Sequence, residues 1–172
     1  MRQLVLDTET TGLDPRQDHR IIEIAALSVD LHAGFGGRFQ MLVKPQKRLT
    51  KRVIDLTGIT QDMLDRDGQS LECAMGGLLT FVGAMPLVFY HAPFDMGFLT
   101  RAAAGIDRRI DNPIHDALVL MRATVPGLES YRLVDVAAWM GLDAHGAHRA
   151  LKDCELAALV YGGCVRGMRQ PA

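Results

Sequence analysis

Arg2 to Asp7 passes from polar into apolar residues and predicts a strand. Ile21 to Val29 is almost wholly apolar and β-branched at its start, which predicts a strand covered on both faces. Between them, Thr10 to Asp18 holds the turn formers Gly12, Asp14 and Pro15. Gly34, Gly36 and Gly37 predict a hairpin turn into a third strand, Arg38 to Val43, stopped at Pro45. Ser70 is placed to cap a helix from Leu71 to about Val82, weakened by Gly76 and Gly77. A short buried strand at Pro86–Tyr90 follows, then a helix over Phe94–Ala104 ended by Gly105 and a short strand near Ile110–Ile114. Asp116 starts a helix to about Thr124, Leu133–Met140 forms another closed by Gly141, and Ala147 to about Val165 forms the last.

Three strands thus come first, followed by alternating helices and strands. The first three can form an antiparallel meander, whereas the later ones need crossover helices and parallel pairing. The expected fold class is α/β, a mixed sheet of about five strands flanked by helices. At 172 residues the chain is expected to be one domain, 1–172.

Composition narrows the classes. A chain 48% hydrophobic with net charge −1 is not a disordered one, and it lacks the basic excess of a non-specific duplex binder. Any nucleic acid must therefore be gripped locally. No apolar run approaches the roughly 18–20 residues needed to cross a bilayer, and the N-terminus lacks the apolar stretch of a secretory signal. Cys73, Cys154 and Cys164 form no CxxC pair. They read as buried or half-buried thiols in a reducing compartment, so a cytoplasmic location with no membrane partner is expected.

Three clusters carry candidate chemistry. Asp7 and Glu9 are two apart on a strand, so their carboxylates share one face. Two such charges repel unless a cation lies between them, and Mg²⁺ or Mn²⁺ takes carboxylate oxygens readily. Taken alone, the pair also suits a solvated strand end feeding a turn. Phe94 and Phe98, four apart, anchor one helix face and leave Asp95 near the helix start, where a plain first-turn acid is equally at home. His148 and Asp153 are five apart, which inside one helix would separate them by about 140°. They reach a common site only if His148 stands at the frayed helix start.

Other residues have simpler readings. Asp116 reads as an N-cap. Glu23, inside an apolar strand, must have a partner if buried and reads as structural. His145 precedes His148 by three, but no further Cys or His completes a zinc set. No helix follows Gly34-Phe35-Gly36-Gly37, as a dinucleotide loop requires, and neither a Walker loop nor a GxSxG serine occurs.

In order and spacing, Asp7-Thr8-Glu9-Thr10-Thr11-Gly12-Leu13, then Phe94-Asp95-Met96-Gly97-Phe98-Leu99, then His148 through Asp153 resemble the three motifs of the DnaQ-like 3′→5′ exonucleases. This group carries four acids and a histidine (the DEDDh subgroup) and includes the proofreading subunit of bacterial DNA polymerase III. Arg20-Ile21-Ile22-Glu23-Ile24 and Leu56-Thr57-Gly58-Ile59-Thr60 are lesser matches, and the resemblance covers essentially the whole chain.

The resemblance implies a ribonuclease-H-like sheet, with Asp7, Glu9, Asp95 and Asp153 holding two divalent ions, Mg²⁺ or Mn²⁺. It implies His148 as general base, since an imidazole with an ordinary pKa near ~6.5 accepts a proton at neutral pH. The product would be a nucleoside 5′-monophosphate, released one at a time from a 3′ end. Thr8, Thr10, Gly12, Leu13, His91 and Phe94 would meet the terminal nucleotide, with Leu13 against a base. His91 departs from the family, in which Asn is usual there and His is common at the position of Tyr90, so it either contacts substrate or fills a polar gap. Lys44, Lys47, Arg48, Lys51, Arg52, Arg101, Arg108 and Arg109 are candidate backbone contacts, or ordinary solvated surface.

The expectation is a metal-dependent 3′→5′ exonuclease on single-stranded DNA ends, with proofreading as its role and a DNA polymerase subunit as partner. The nearest rival is an exoribonuclease of the oligoribonuclease or ribonuclease T type, which differs in reading the 2′-OH. A non-catalytic nucleic-acid-binding or polymerase-docking module on the same fold is the rival from another class. It is disfavoured because such a module need not keep all five groups. The chain ends near Ala172 without a long tail, so no tethering segment is expected in it.

Overall fold

The computed structural model describes residues 2–168, and these form five strands and seven helices. The strands are β1 (Arg2–Thr10), β2 (Ile21–Asp30), β3 (Gly34–Leu42), β4 (Leu87–Phe89) and β5 (Ile114–Asp116). The helices are α1 (Lys51–Thr57), α2 (Gln61–Asp67), α3 (Leu71–Val82), α4 (Ala92–Ala104), α5 (Ala117–Thr124), α6 (Leu133–Trp139) and α7 (Ala150–Val165). The sheet order is β3-β2-β1-β4-β5. β1, β2 and β3 form the antiparallel meander, and β4 and β5 run parallel to β1 through helical crossovers.

Strand alternation divides the core into two layers. Leu4, Leu6 and Ile24 point to the face covered by α3 and α4, where they meet Leu78, Phe89 and Leu99. Val5, Ala25 and Leu27 point to the other face, where they meet Met121, Val136, Cys154 and Ala157 of α5, α6 and α7. Ala25 on the sheet and Ala150, Ala157 and Ala158 on α7 are small, so α7 lies close against β1 and β2. Asp7 and Glu9 have the parity of Val5 and therefore face α7.

Several boundaries differ from expectation, each for a local reason. β1 runs on to Thr10 because β2 pairs with it as far as Ile21, so Asp7 and Glu9 sit within a paired strand and not beyond its end. Gly34 to Gly37 lie inside β3, not in the turn. The turn is 31–33, held by the Asp30 carboxylate, which accepts from the His32 and Ala33 N–H groups at 3.0 and 3.2 Å. β5 falls at Ile114–Asp116, after Pro113, and not at 110–114. α1 and α2 are additional helices of seven residues each, capped by the Thr50 and Thr60 hydroxyls, and they bury Val53 and Leu64 in a small third cluster with Ile22 and Ile59. Cys73 is exposed, contrary to expectation, because the buried stripe of α3 is Ala74, Met75, Leu78 and Val82. Among the described residues no helix is long and apolar enough to cross a membrane.

Candidate active site

The parallel half of the sheet sets the site. β1 delivers Asp7 and Glu9, the loop after β4 opens directly into α4 with Asp95 in its first turn, and α7 begins over the same strand ends with Asp153 in its first turn. One carboxylate oxygen from each of Asp7, Glu9 and Asp153 lies within 4.8 Å of the others. Asp95 lies outside this trio, on the other side of β1, and acts on Asp7 and Glu9 through its charge. It is buried, and its Oδ1 accepts from the Thr8 N–H at 3.0 Å and the Thr8 hydroxyl at 2.7 Å. The Thr8 hydroxyl is thus engaged by Asp95 and does not face solvent.

Four acids in one partly dry pocket disfavour full ionisation. Burial first, then the charges of Asp95, Asp153 and Glu9, hold the Asp7 carboxyl well above the usual carboxylate range. Burial, joined by Asp153, Glu23 and Asp95, pushes Glu9 up to about 8, with Arg149 opposing. Burial raises Asp95 to about 7 despite its two bonds from Thr8. Burial likewise raises Asp153 to about 6, against the pull of His148. Clustered carboxylate oxygens of raised proton affinity suit a divalent cation, whose charge replaces the protons and relieves the repulsion.

His148 stands outside α7. Its backbone takes the left-handed conformation, φ 64°, and Arg149 after it is extended before the helix begins at Ala150. The angular offset of two residues inside one helix therefore does not apply. The His148 N–H instead donates to both oxygens of the Asp153 carboxylate, at 3.3 and 3.2 Å, and brings the half-buried residue to the acids.

The loop after β1 is folded back on itself. The Thr10 hydroxyl donates to the Gly12 carbonyl at 2.6 Å, and the Arg20 N–H donates to the Thr11 hydroxyl at 2.9 Å. His19 packs so tightly on Gly12 that a Cβ there would fall 2.2 Å from the imidazole. This leaves Leu13 projecting with 80% of its surface exposed. Phe94 is half-buried against Phe98, with ring centroids 5.4 Å apart. His91 is exposed at the N-cap of α4 and makes no capping bond with its side chain. The Ala92 N–H is met by Asp116 Oδ2 at 3.0 Å, while Asp116 Oδ1 caps α5 through Leu118 and Val119. Asp116 is therefore an N-cap, as expected, and also ties the start of α4 to β5.

Glu23 has the partner its burial demands. It accepts two hydrogen bonds from the Arg149 guanidinium, and further ones from the Ala150 N–H and the Gln40 amide. Nothing local in the sequence signals this contact. Of the candidate cations, Lys44, Lys47 and Lys51 pair with Asp65, Asp18 and Asp55. A groove of about 690 Å³ holds Arg20, Lys44, Phe98 and Arg101 on its walls but none of Asp7, Glu9, Asp95, His148 and Asp153, so it lies beside the acid site and not on it.

A family model described as exonuclease matches residues 4–161. The epsilon subunit of DNA polymerase III from Rickettsia felis is 34% identical over 169 residues, which cover 94% of this chain and 72% of that protein. A PolC-type DNA polymerase III from Oceanobacillus iheyensis is 36% identical over 88% of this chain but only 10% of its own length. A solved complex of Escherichia coli exonuclease I with single-stranded DNA, in a zinc-bound form, superposes with TM-score 0.83 at 21% identity. It covers 96% of this chain, which spans 40% of that one, and at this identity it is similar in fold.

Proposed function

This chain belongs to the exonuclease family and is a 3′→5′ exonuclease on a ribonuclease-H-like sheet, and from that premise we propose that it trims single-stranded DNA one nucleotide at a time, using two divalent ions held by Asp7, Glu9, Asp95 and Asp153. The observation that carries the proposal is the approach of Asp7 and Glu9 of β1 to Asp153 of α7, with the charge of Asp95 from α4 acting on them, where mutual repulsion calls for cations. Bound Mg²⁺ or Mn²⁺ would supply Lewis-acid activation of water and neutralise charge on the phosphate and the departing oxygen.

The chain's own residues do the rest. The His148 imidazole, held beside Asp153 by its own backbone N–H, takes the proton from the attacking water. A new P–O bond forms at the terminal phosphorus and the P–O3′ bond breaks. The departing 3′ oxygen takes up a proton and becomes the new 3′ hydroxyl, and a nucleoside 5′-monophosphate leaves. Thr8 fixes Asp95. Leu13, whose exposure is otherwise unfavourable for an apolar side chain, stacks on the terminal base, while Thr10 and Gly12 shape the loop beneath it. Phe94 and His91, at the start of α4, bound the other side.

The DNA polymerase relatives support DNA over RNA as the substrate and a polymerase subunit as partner. The proposal treats residues 1–172 as one exonuclease domain. The test is digestion of matched single-stranded DNA, 3′-mismatched duplex and RNA with Mg²⁺, Mn²⁺ or chelator, alongside Asp7→Ala. Expected are metal-dependent release of mononucleotides from DNA, loss of activity in Asp7→Ala, and an unchanged far-ultraviolet circular dichroism spectrum. Near-wild-type hydrolysis by a folded Asp7→Ala protein would defeat the assignment, and faster digestion of RNA would transfer it to the exoribonuclease reading.

A further inference from the structure

Glu23 is fully buried near the start of β2, directly opposite Glu9 in the β1–β2 register. A carboxylate in that position is unfavourable unless every lone pair is met, and an apolar residue would serve packing as well. All of its partners are accounted for. Arg149 Nε donates to Oε2 at 3.1 Å and Arg149 Nη2 to Oε1 at 2.7 Å. The Ala150 N–H donates to Oε2 at 2.9 Å and Gln40 Nε2 to Oε1 at 2.9 Å.

Three of those four donors belong to the two residues immediately after His148. α7 has no side-chain cap of its own, so the orphan N–H of its first residue is met across the fold by a carboxylate in β2. On the other side of His148, its own N–H is held by Asp153. The histidine therefore sits between two anchors, in a left-handed backbone conformation that an L residue rarely adopts unless its surroundings impose it.

We propose that Glu23 and Arg149 are positioning residues for the exonuclease reaction: their bidentate clamp holds His148 in its left-handed turn ahead of α7. Neither residue has to touch substrate. The proposal rests on the general-base role given to His148 above, and the experiment separates the two. Arg149→Lys keeps a positive charge beside Glu23 and Glu9 but cannot form the two-pronged contact. Glu23→Gln keeps an acceptor for the Ala150 N–H but removes the ion pair.

With single-stranded oligonucleotide and saturating Mn²⁺, Arg149→Lys is expected to lower kcat by about tenfold, the scale at which small misplacement of a reacting group is felt. KM and the calorimetric Mn²⁺ affinity should stay within about twofold, since neither substrate nor cation contacts are removed. The decisive readout is the cycle with His148→Ala: in that background Arg149→Lys should lower kcat no further, because the group it positions is gone. Should Arg149→Lys fail to fold, Glu23→Gln is judged by the same criteria. Wild-type kcat in the clamp variants, or losses that multiply in full with that of His148→Ala, would overturn the clamp while leaving the base intact. Full activity in His148→Ala alone would instead overturn the base reading.

Discussion

Raising the pH with the cations removed should destabilise this protein, and the acid cluster sets the size of the effect. Glu9 binds its proton with a pKa of about 8 in the fold against an ordinary 4.5. Asp95 stands at about 7 and Asp153 at about 6, against an ordinary 3.8. Each is raised, so the folded state holds protons that the unfolded chain releases. The resulting stability is present in full below about pH 4 and is lost as pH rises through 6 to 8, the opposite of the usual carboxylate case. At about 1.4 kcal/mol for each tenfold change in proton affinity, Glu9 alone corresponds to about 5 kcal/mol. The acids raise one another, so their contributions overlap and are not additive.

Between pH 5.5 and 8.5 about 3 kcal/mol of the Glu9 contribution is lost, a large part of the usual 5–15 kcal/mol of folding stability, which corresponds to a fall in Tm of roughly 6–12 °C for a chain of this size. Asp30, held down to about 2 by the His32 and Ala33 N–H groups, acts only at acid pH, outside this window. The assay is thermal unfolding in chelator at pH 5.5, 7 and 8.5, repeated with Mn²⁺. Tm should fall with pH in chelator, and Mn²⁺ should raise it most at pH 8.5, where cations replace protons. Glu9→Gln should flatten the chelator profile. A Tm in chelator that is level or climbs across the window, or a Glu9→Gln profile as steep as wild type, would refute the reasoning.

Three further outcomes follow from named contacts. His148→Ala should slow hydrolysis by about 10²–10⁴-fold with calorimetric Mn²⁺ affinity largely kept; collapse of that affinity would make His148 a ligand and not the base. Leu13→Ala should raise KM for oligonucleotide about fivefold or more and leave Tm unchanged, because this side chain is 80% exposed and supports no packing; a lowered Tm with unchanged KM would contradict the stacking role. Gly12→Ala should lower both Tm and kcat/KM, since the added Cβ falls 2.2 Å from the His19 ring and the loop under Leu13 must shift; wild-type melting and turnover would show that the loop tolerates the move.

The apolar runs of β1 and β2 and the helical stretches at α3 to α7 were legible along the chain, because period and burial go together locally. The pairing of Asp7 with Glu9 on one strand face and the capping by Asp116 were legible for the same reason. The order of the three acidic motifs pointed to the family and to the group of acids. The short helices α1 and α2 are not legible there, although Thr50 and Thr60 are N-caps and Gly58 is a left-handed terminator, since seven residues hold too little periodicity. Nor could the glycines at Gly34 to Gly37 be assigned to a strand, because it is pairing with β2, not propensity, that extends them.

Tertiary structure alone decided how the acids meet and what charge they carry. Thr8 reaches Asp95 across 87 positions and Arg149 reaches Glu23 across 126. Contacts at such separation leave no periodic trace, and the raised proton affinities exist only once folding has drawn the carboxylates out of water and beside one another.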